Sequence, residues 1–171
     1  ISNILNIDRV LWMHAFNYTL INFDSYVGYA QNYYLYRDLS GLFNPIIWDL
    51  NMSLGSFRLT DASQLYFSGF DINQAQHIDP LTHHNYISVS PRPLMTNLFS
   101  KSRFRKMYMA HIRTILEENI TNQEYFHRAQ FFQNLIDIHV QNDTNKFYSY
   151  TDFTNNLNNQ VNLTSSICPG I

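Results

Sequence analysis

The segment NPIIWDLNMSLG, residues 44–55, decides how the chain is read. Pro45-Ile46-Ile47-Trp48 is an apolar run of strand length that stops at an acid, Asp49. Leu50, Asn51, a further apolar-polar alternation and Gly55 follow. A carboxylate in that position has two uses. It can accept hydrogen bonds from backbone donors at a turn, or it can be held out to something positive.

Just upstream, Asn32-Tyr33-Tyr34-Leu35-Tyr36-Arg37-Asp38 is aromatic and β-prone. Asp38-Leu39-Ser40-Gly41 is a turn signal, and Leu42 to Trp48 forms the return strand, so the two arms read as a β-hairpin. A hairpin brings its outer ends together, which places Asn32 near Asp49. Asp24 precedes Asn32 by only eight residues and can reach the same mouth. Two carboxylates and an amide oxygen at one point are hard ligands, suited to Mg²⁺ or Mn²⁺ that shares its coordination with phosphate.

Working outward, residues 3–21 are apolar almost all round, as a helix in the middle of a domain is. Residues 22–25 read as a loop. Residues 56–93 carry Asp79-Pro80, His83-His84 and Pro91-Arg92-Pro93 and read as a long loop with little regular structure. From Pro93 a short helix is expected, then one with Phe104, Tyr108, Ile112, Ile115 and Leu116 on a face, ending at Glu117-Glu118-Asn119. Asn122 is the expected N-cap of the next helix, whose Phe126, Ala129, Phe132, Leu135 and Ile136 share a side. A last helix is expected from Thr151 to about Val161. The class is α+β, mostly helical, with one central hairpin.

With 45% hydrophobic and 16% aromatic residues, the 171-residue chain has material for one core. Net charge is −2 and no basic stripe is present, which argues against a nucleic-acid partner. No run approaches the ~18 apolar residues of a membrane helix, so no transmembrane segment is expected. The single Cys168 excludes an internal disulfide and a cysteine-based metal site. Both ends read as cuts in something longer, so the chain is expected to be a single partial domain, 1–171.

Other constellations weigh less. His83 and His84 are adjacent and point apart, and helical His111, His127 and His139 fit core or surface positions better than a zinc site. The basic run Lys101–Lys106 suits a substrate phosphate or an acidic partner, although a solvated helix start is the commoner use of such a run. Tyr33, Tyr34 and Tyr36 can stack a sugar or base, although alternate strand residues facing a core account for them better. Ser25 lies beside Asp24 without the histidine a hydrolase needs.

A buried helix, a loop with an Asp and a following Asn, and a hairpin ending in a second Asp is the order of the functional half of a protein kinase. The segments NFDSYVGYAQNYYLYRD (22–38), FNPIIWDLNMSLG (43–55), PRPLMTNLFSKSRFRKMYMAHIRTILEEN (91–119) and NDTNKFYSYTDF (142–153) together resemble the CotH kinases, atypical kinase-like proteins first associated with spore coats. The resemblance implies the C-lobe of a kinase-like fold, with the N-lobe outside this chain. It implies transfer of the ATP γ-phosphate with a divalent metal to Ser or Thr of a protein, at a secreted or cell-surface location. By position, Asp24 corresponds to the catalytic acid, and Asn32 and Asp49 to the residues that hold metal on the nucleotide.

The chain also departs from the pattern. The Asp-to-Asn spacing is eight, against about five in ordinary kinases. Asp49 is followed by Leu50-Asn51 rather than by Phe-Gly. Many family members carry an acid where this chain has Asn51, which offers a metal one neutral oxygen. Without an N-lobe the 171 residues are expected to be inactive alone. The alternative is a non-catalytic secreted or surface protein, binding or structural, that keeps the kinase scaffold.

Overall fold

The computed structural model describes residues 1–56, 72–86, 92–159 and 161. Helix α1 (Ile7–Thr19) starts at Asn6, whose side-chain oxygen accepts from the Arg9 backbone N–H at 3.2 Å. It buries Val10, Leu11, Met13, His14, Ala15, Asn17 and Tyr18. The chain leaves the helix through Ile21, which sits in the left-handed region at φ 48°.

Strands β1 (Tyr33–Arg37) and β2 (Phe43–Ile47) pair antiparallel, with Tyr33 opposite Ile47 and Arg37 opposite Phe43. Asp38 closes the hairpin. Its carboxylate accepts from the Ser40 hydroxyl (2.6 Å), the Asn44 amide (2.8 Å) and the N–H groups of Leu42 (3.1 Å) and Ser40 (2.9 Å). Those donors, the Ser40 hydroxyl foremost, hold its pKa down at about 2. The hairpin is fastened to the start of α1. Asn6 N–H donates to the Phe43 carbonyl at 2.9 Å, Phe43 N–H to the Ile4 carbonyl at 2.8 Å, and the Asn6 amide to Asn44 Oδ1 at 2.8 Å.

Short helix α2 (Ile72–Gln76) and a 3₁₀ turn (His83–Tyr86) occupy part of the expected long loop; residues 57–71 and 87–91 of that loop lie outside the described residues. Helix α3 (Pro93–Phe99) opens with proline at its first position, and α4 (Ser102–Ile115) packs along α1. Together they bury Met95, Leu98, Phe99 and Tyr108 against the α1 face and the Phe23–Val27 loop.

Beyond α4 the chain departs from expectation. Glu117-Glu118-Asn119 does not end the helix but widens it into a π turn (Leu116–Ile120), with Thr121 N–H bonded to the Leu116 carbonyl at 2.7 Å. Helix α5 (Glu124–Asn142) begins at Gln123, in the left-handed region at φ 61°. Asn122 still serves the helix start, accepting from Glu124 N–H at 3.1 Å. The apolar side of α5 does not enter the core: Phe131, Phe132, Leu135, Ile136 and Ile138 are all exposed. Helix α6 (Tyr150–Asn155) has a Ser149–Asp152 capping box and stops short of Val161, in an Asn-rich run of poor helix propensity. The described residues are thus mostly helical with one small two-stranded antiparallel sheet, an α+β arrangement.

Three histidines lie inside. His83 Nδ1 meets the Tyr18 hydroxyl at 3.0 Å and its ring stacks on Phe23, while His84 sets its edge against Phe99. His14 is fully buried between Tyr26 and Phe99. Burial, and then the charge on His84, hold His14 down at about 3 and His83 at about 4; burial also lowers His84. The unfolded chain binds protons at these rings below about 6.5, and the folded chain does not until about pH 4 to 3. Their contribution is therefore present in full above pH 6.5 and is lost as pH falls through that window. The urea midpoint is expected to drop between about pH 6.5 and 5, above most carboxylate titration, and His14→Leu should flatten the slope. A flat profile for the parent chain there would refute the assignment.

Candidate functional site

The loop from Leu20 to Asn32 is built to hold one residue in place. Asn22 N–H donates to the Asn17 carbonyl at 2.8 Å and the Asn22 amide to Asn17 Oδ1 at 3.1 Å, which folds the chain back on the end of α1. The Ser25 hydroxyl donates to the Asn22 carbonyl at 2.6 Å and accepts from Val27 N–H at 3.3 Å. Ser25 is thus a buried loop tie, in agreement with the rejection of a serine nucleophile. Phe23, Tyr26 and Val27 are buried, and Asp24 stands half-exposed among them.

Two residues that sequence reasoning passed over support this loop. Arg92 is fully buried, and its guanidinium donates to the carbonyls of Val27 (3.0 Å) and Gly28. The Tyr26 hydroxyl accepts from Leu94 N–H at 3.0 Å, binding the loop to the first turn of α3. Gly28 is needed for space, since a Cβ there would run into the Phe23 carbonyl oxygen. The sequence signal at Arg92 is its setting between Pro91 and Pro93, which marks a rigid turn and not a clamp.

The loop and the hairpin meet at Asp24 and Asn32. The Asn32 amide donates to the Asp24 backbone carbonyl at 2.7 Å and to its carboxylate Oδ2 at 3.0 Å, and the Gln31 amide donates to Oδ1. With its NH₂ committed to Asp24, Asn32 retains its amide oxygen as an acceptor. Asn32 is in the left-handed region at φ 56°, and its carbonyl accepts from Trp48 N–H at 3.2 Å. That bond extends the ladder by one rung, so Asp49 emerges beside Asn32 at the open end of the hairpin.

Asp49 also adopts a left-handed conformation, φ 55°, in which Asp is better tolerated than most residues. Its carboxylate is exposed and has no hydrogen bond or ion pair with any described residue. Every other described aspartate has a partner: Asp8, Asp24, Asp38, Asp79, Asp137, Asp143 and Asp152. The turn-acid role is filled at Asp38 and Asp79, whereas Asp49 does not perform it. Among the described residues the ion pairs are His111–Asp8, Arg113–Glu117 and Arg128–Glu124. None of them includes Asp24 or Asp49, so two carboxylates at the hairpin mouth have no cation from the described chain to balance them.

Asn51 lies in the exposed turn that follows, with no side-chain hydrogen bond among the described residues. That turn is fastened behind the site, with Leu54 N–H donating to the Leu20 carbonyl at 2.6 Å and Gly55 N–H to the Ile21 carbonyl at 3.2 Å. The tyrosines differ from the core-facing expectation. Tyr33 packs edge-on to Tyr26, but Tyr34 and Tyr36 face solvent, and the Tyr34 ring centre lies 5.8 Å from that of the exposed Trp48. Among the described residues no second layer covers that face of the two-stranded sheet, which leaves an aromatic surface near Asp49.

Over residues 1–165 the sequence matches the family described as CotH kinase protein. The chain belongs to the CotH kinase family. No curated protein and no solved structure matches it. Membership in this CotH kinase family points to nucleotide and metal use in general. Oxygen is the donor type a hard divalent ion takes, with Asp49 uncommitted and Asn32 keeping an amide oxygen. Among the described residues no cluster of three or more His, Cys, Asp or Glu side chains is placed to hold a metal. Among the described residues no helix is long and apolar enough to cross a membrane.

The contrast between the acids is testable. Asp49→Asn is expected to leave stability within about 0.5 kcal/mol of the parent, as a contact-free surface change does. Asp38→Asn is expected to lower the urea midpoint, because its carboxylate organises the turn. A larger loss at Asp49 than at Asp38 would show that Asp49 is structural. Arg92→Met, which strips buried carbonyls of a charged donor, is expected to cost roughly 2–4 kcal/mol. Unchanged unfolding of that variant would remove Arg92 from the loop's support.

Proposed function

We propose that the chain is the kinase-like C-lobe of a CotH phosphotransferase that moves the ATP γ-phosphate to a Ser or Thr hydroxyl of a protein. The observation that carries the reading is the uncommitted Asp49 carboxylate, one residue past the Trp48–Asn32 rung that leads to the Asn32–Asp24 pair. Asp49 and the Asn32 amide oxygen would hold Mg²⁺ or Mn²⁺, with Asn51 offering a further neutral oxygen from the turn after Asp49. When bound, the ion neutralises charge on the phosphates of ATP.

Asp24 orients the acceptor hydroxyl and takes its proton as the hydroxyl oxygen bonds to the γ-phosphorus and ADP leaves. The amides of Gln31 and Asn32 fix the direction of the Asp24 carboxylate, so its orientation is set before the acceptor arrives. The exposed Tyr34 and Trp48 rings, set nearly edge to face, offer an aromatic ring face for the nucleotide base near the open end of the hairpin. A secreted or cell-surface location accompanies this reading through the family alone. Asn51 favours a second reading, a scaffold that binds without transferring, because a neutral side chain stands where many relatives carry an acid.

Two measurements separate the readings. Mn²⁺ binding to the chain, followed by its electron paramagnetic resonance signal, is expected to weaken about tenfold or more in Asp49→Asn, a loss of about 1.4 kcal/mol, and to persist in Asp38→Asn. Labelled ATP with Mn²⁺ is then given to the full polypeptide that carries these residues. Transfer to protein that Asp24→Asn and Asp49→Ala both abolish supports the kinase. Metal binding without transfer across a range of acceptors would favour the scaffold.

A further inference from the structure

The basic run noted in the sequence acquires a place in the structure that the proposed chemistry does not use. Arg105, Lys106, Met109, Arg113 and Leu116 fall on one side of α4 and its π turn, where they line a groove of about 900 Å³. Met109 and Leu116 are exposed apolar residues on its floor. Ile112 and Leu116 also line a neighbouring apolar cavity of about 130 Å³, with Ile21, Phe23 and Ile78 on its other walls. Ile21 and Phe23 belong to the loop that carries Asp24.

The charges along the groove are mostly cationic and weakly committed. Arg105, Lys106 and Arg113 face a single acid, Glu117. Lys106 makes no ion pair with any described residue. Arg113 meets Glu117 at 3.5 Å, but both side chains are well exposed, and such a pair is readily exchanged for another acid. Arg105 donates to the Phe99 carbonyl, which holds its guanidinium at the groove edge. The π turn places Leu116, Glu117 and Thr121 at the far end of the groove, and π turns often occur at functional positions.

We infer that this groove docks an acidic segment of a partner protein, with one apolar side chain anchored in the cavity beside the Asp24 loop. The cations select for acid, the apolar floor selects against nucleic acid, and the cavity accepts a side chain of Leu size or less. Under the phosphotransfer reading the segment belongs to the acceptor, and the inference rests on that reading only for this assignment. The groove and its charges stand without it.

The test reads binding alone, without nucleotide or metal, so its failure is distinct from failure of the phosphotransfer reading. A fluorescein-labelled peptide of roughly four helical turns, with Leu at i, i+4 and i+7 and Glu elsewhere, is titrated with the chain. Its counterpart carries Lys in place of each Glu. The acidic peptide is expected to bind about tenfold or more tightly at low salt, and to weaken as salt rises. The double variant Lys106→Glu, Arg113→Glu is expected to reverse the preference, and Met109→Ser to weaken both peptides, with circular dichroism showing each variant folded. Equal binding of the two peptides, or none from a folded chain, overturns the inference. Self-association of the chain that the double variant abolishes would assign the groove to a second copy and overturn it as well.

Discussion

A buried guanidinium holds the loop on which the candidate chemistry depends. Arg92 reaches from the start of α3 to the carbonyls of Val27 and Gly28, and Tyr26 returns a bond to Leu94 N–H. A loop carries many backbone groups that a helix or sheet would have satisfied internally, and a buried one must find other partners for them. Here the partners come from a segment distant in sequence, 65 residues on for Val27. The same contacts seat the start of α3 against the loop, so one set of bonds both closes that side of the core and fixes where Asp24 stands.

The hairpin plays the complementary part. Its closed end is settled by Asp38, which gathers the donors of the turn, and its side is tied to the residues before α1. Its open end is different in kind. Asn32 and Asp49 both take left-handed backbone conformations, and each keeps a side-chain oxygen that no described residue bonds. Strained positions persist where surrounding structure over-determines them, and here the Trp48–Asn32 rung and the Leu20–Leu54 bond hold both flanks. Among the described residues no cation pairs with Asp24 or Asp49.

The core accounts for α1, α3 and α4, but a large part of the apolar sequence lies outside it. The hairpin exposes Tyr34, Tyr36 and Trp48, and α5 exposes Phe131, Phe132 and Leu135. Periodicity in α5 correctly shows a helix with an apolar side. It does not show that this side finds no cover among the described residues, because periodicity reports a face and not what packs on it.

Local sequence determined much of the architecture. The aromatic β-prone arm, the apolar return run and the Asp38–Gly41 turn specified the hairpin to within a residue at each end, and the apolar run before Asn22 specified α1. These features follow from short-range rules of backbone geometry and turn chemistry. The order Asp24, Asn32, Asp49 was legible for the same reason, since a hairpin must bring its ends together. What the tertiary structure decided was how each polar group is used. Asp38 and Asp49 are the same residue type at opposite ends of one hairpin, and only the donors around them separate a turn former from a free carboxylate. The Arg92 clamp, the buried histidines and the groove along α4 likewise depend on partners distant in sequence, which local pattern does not encode.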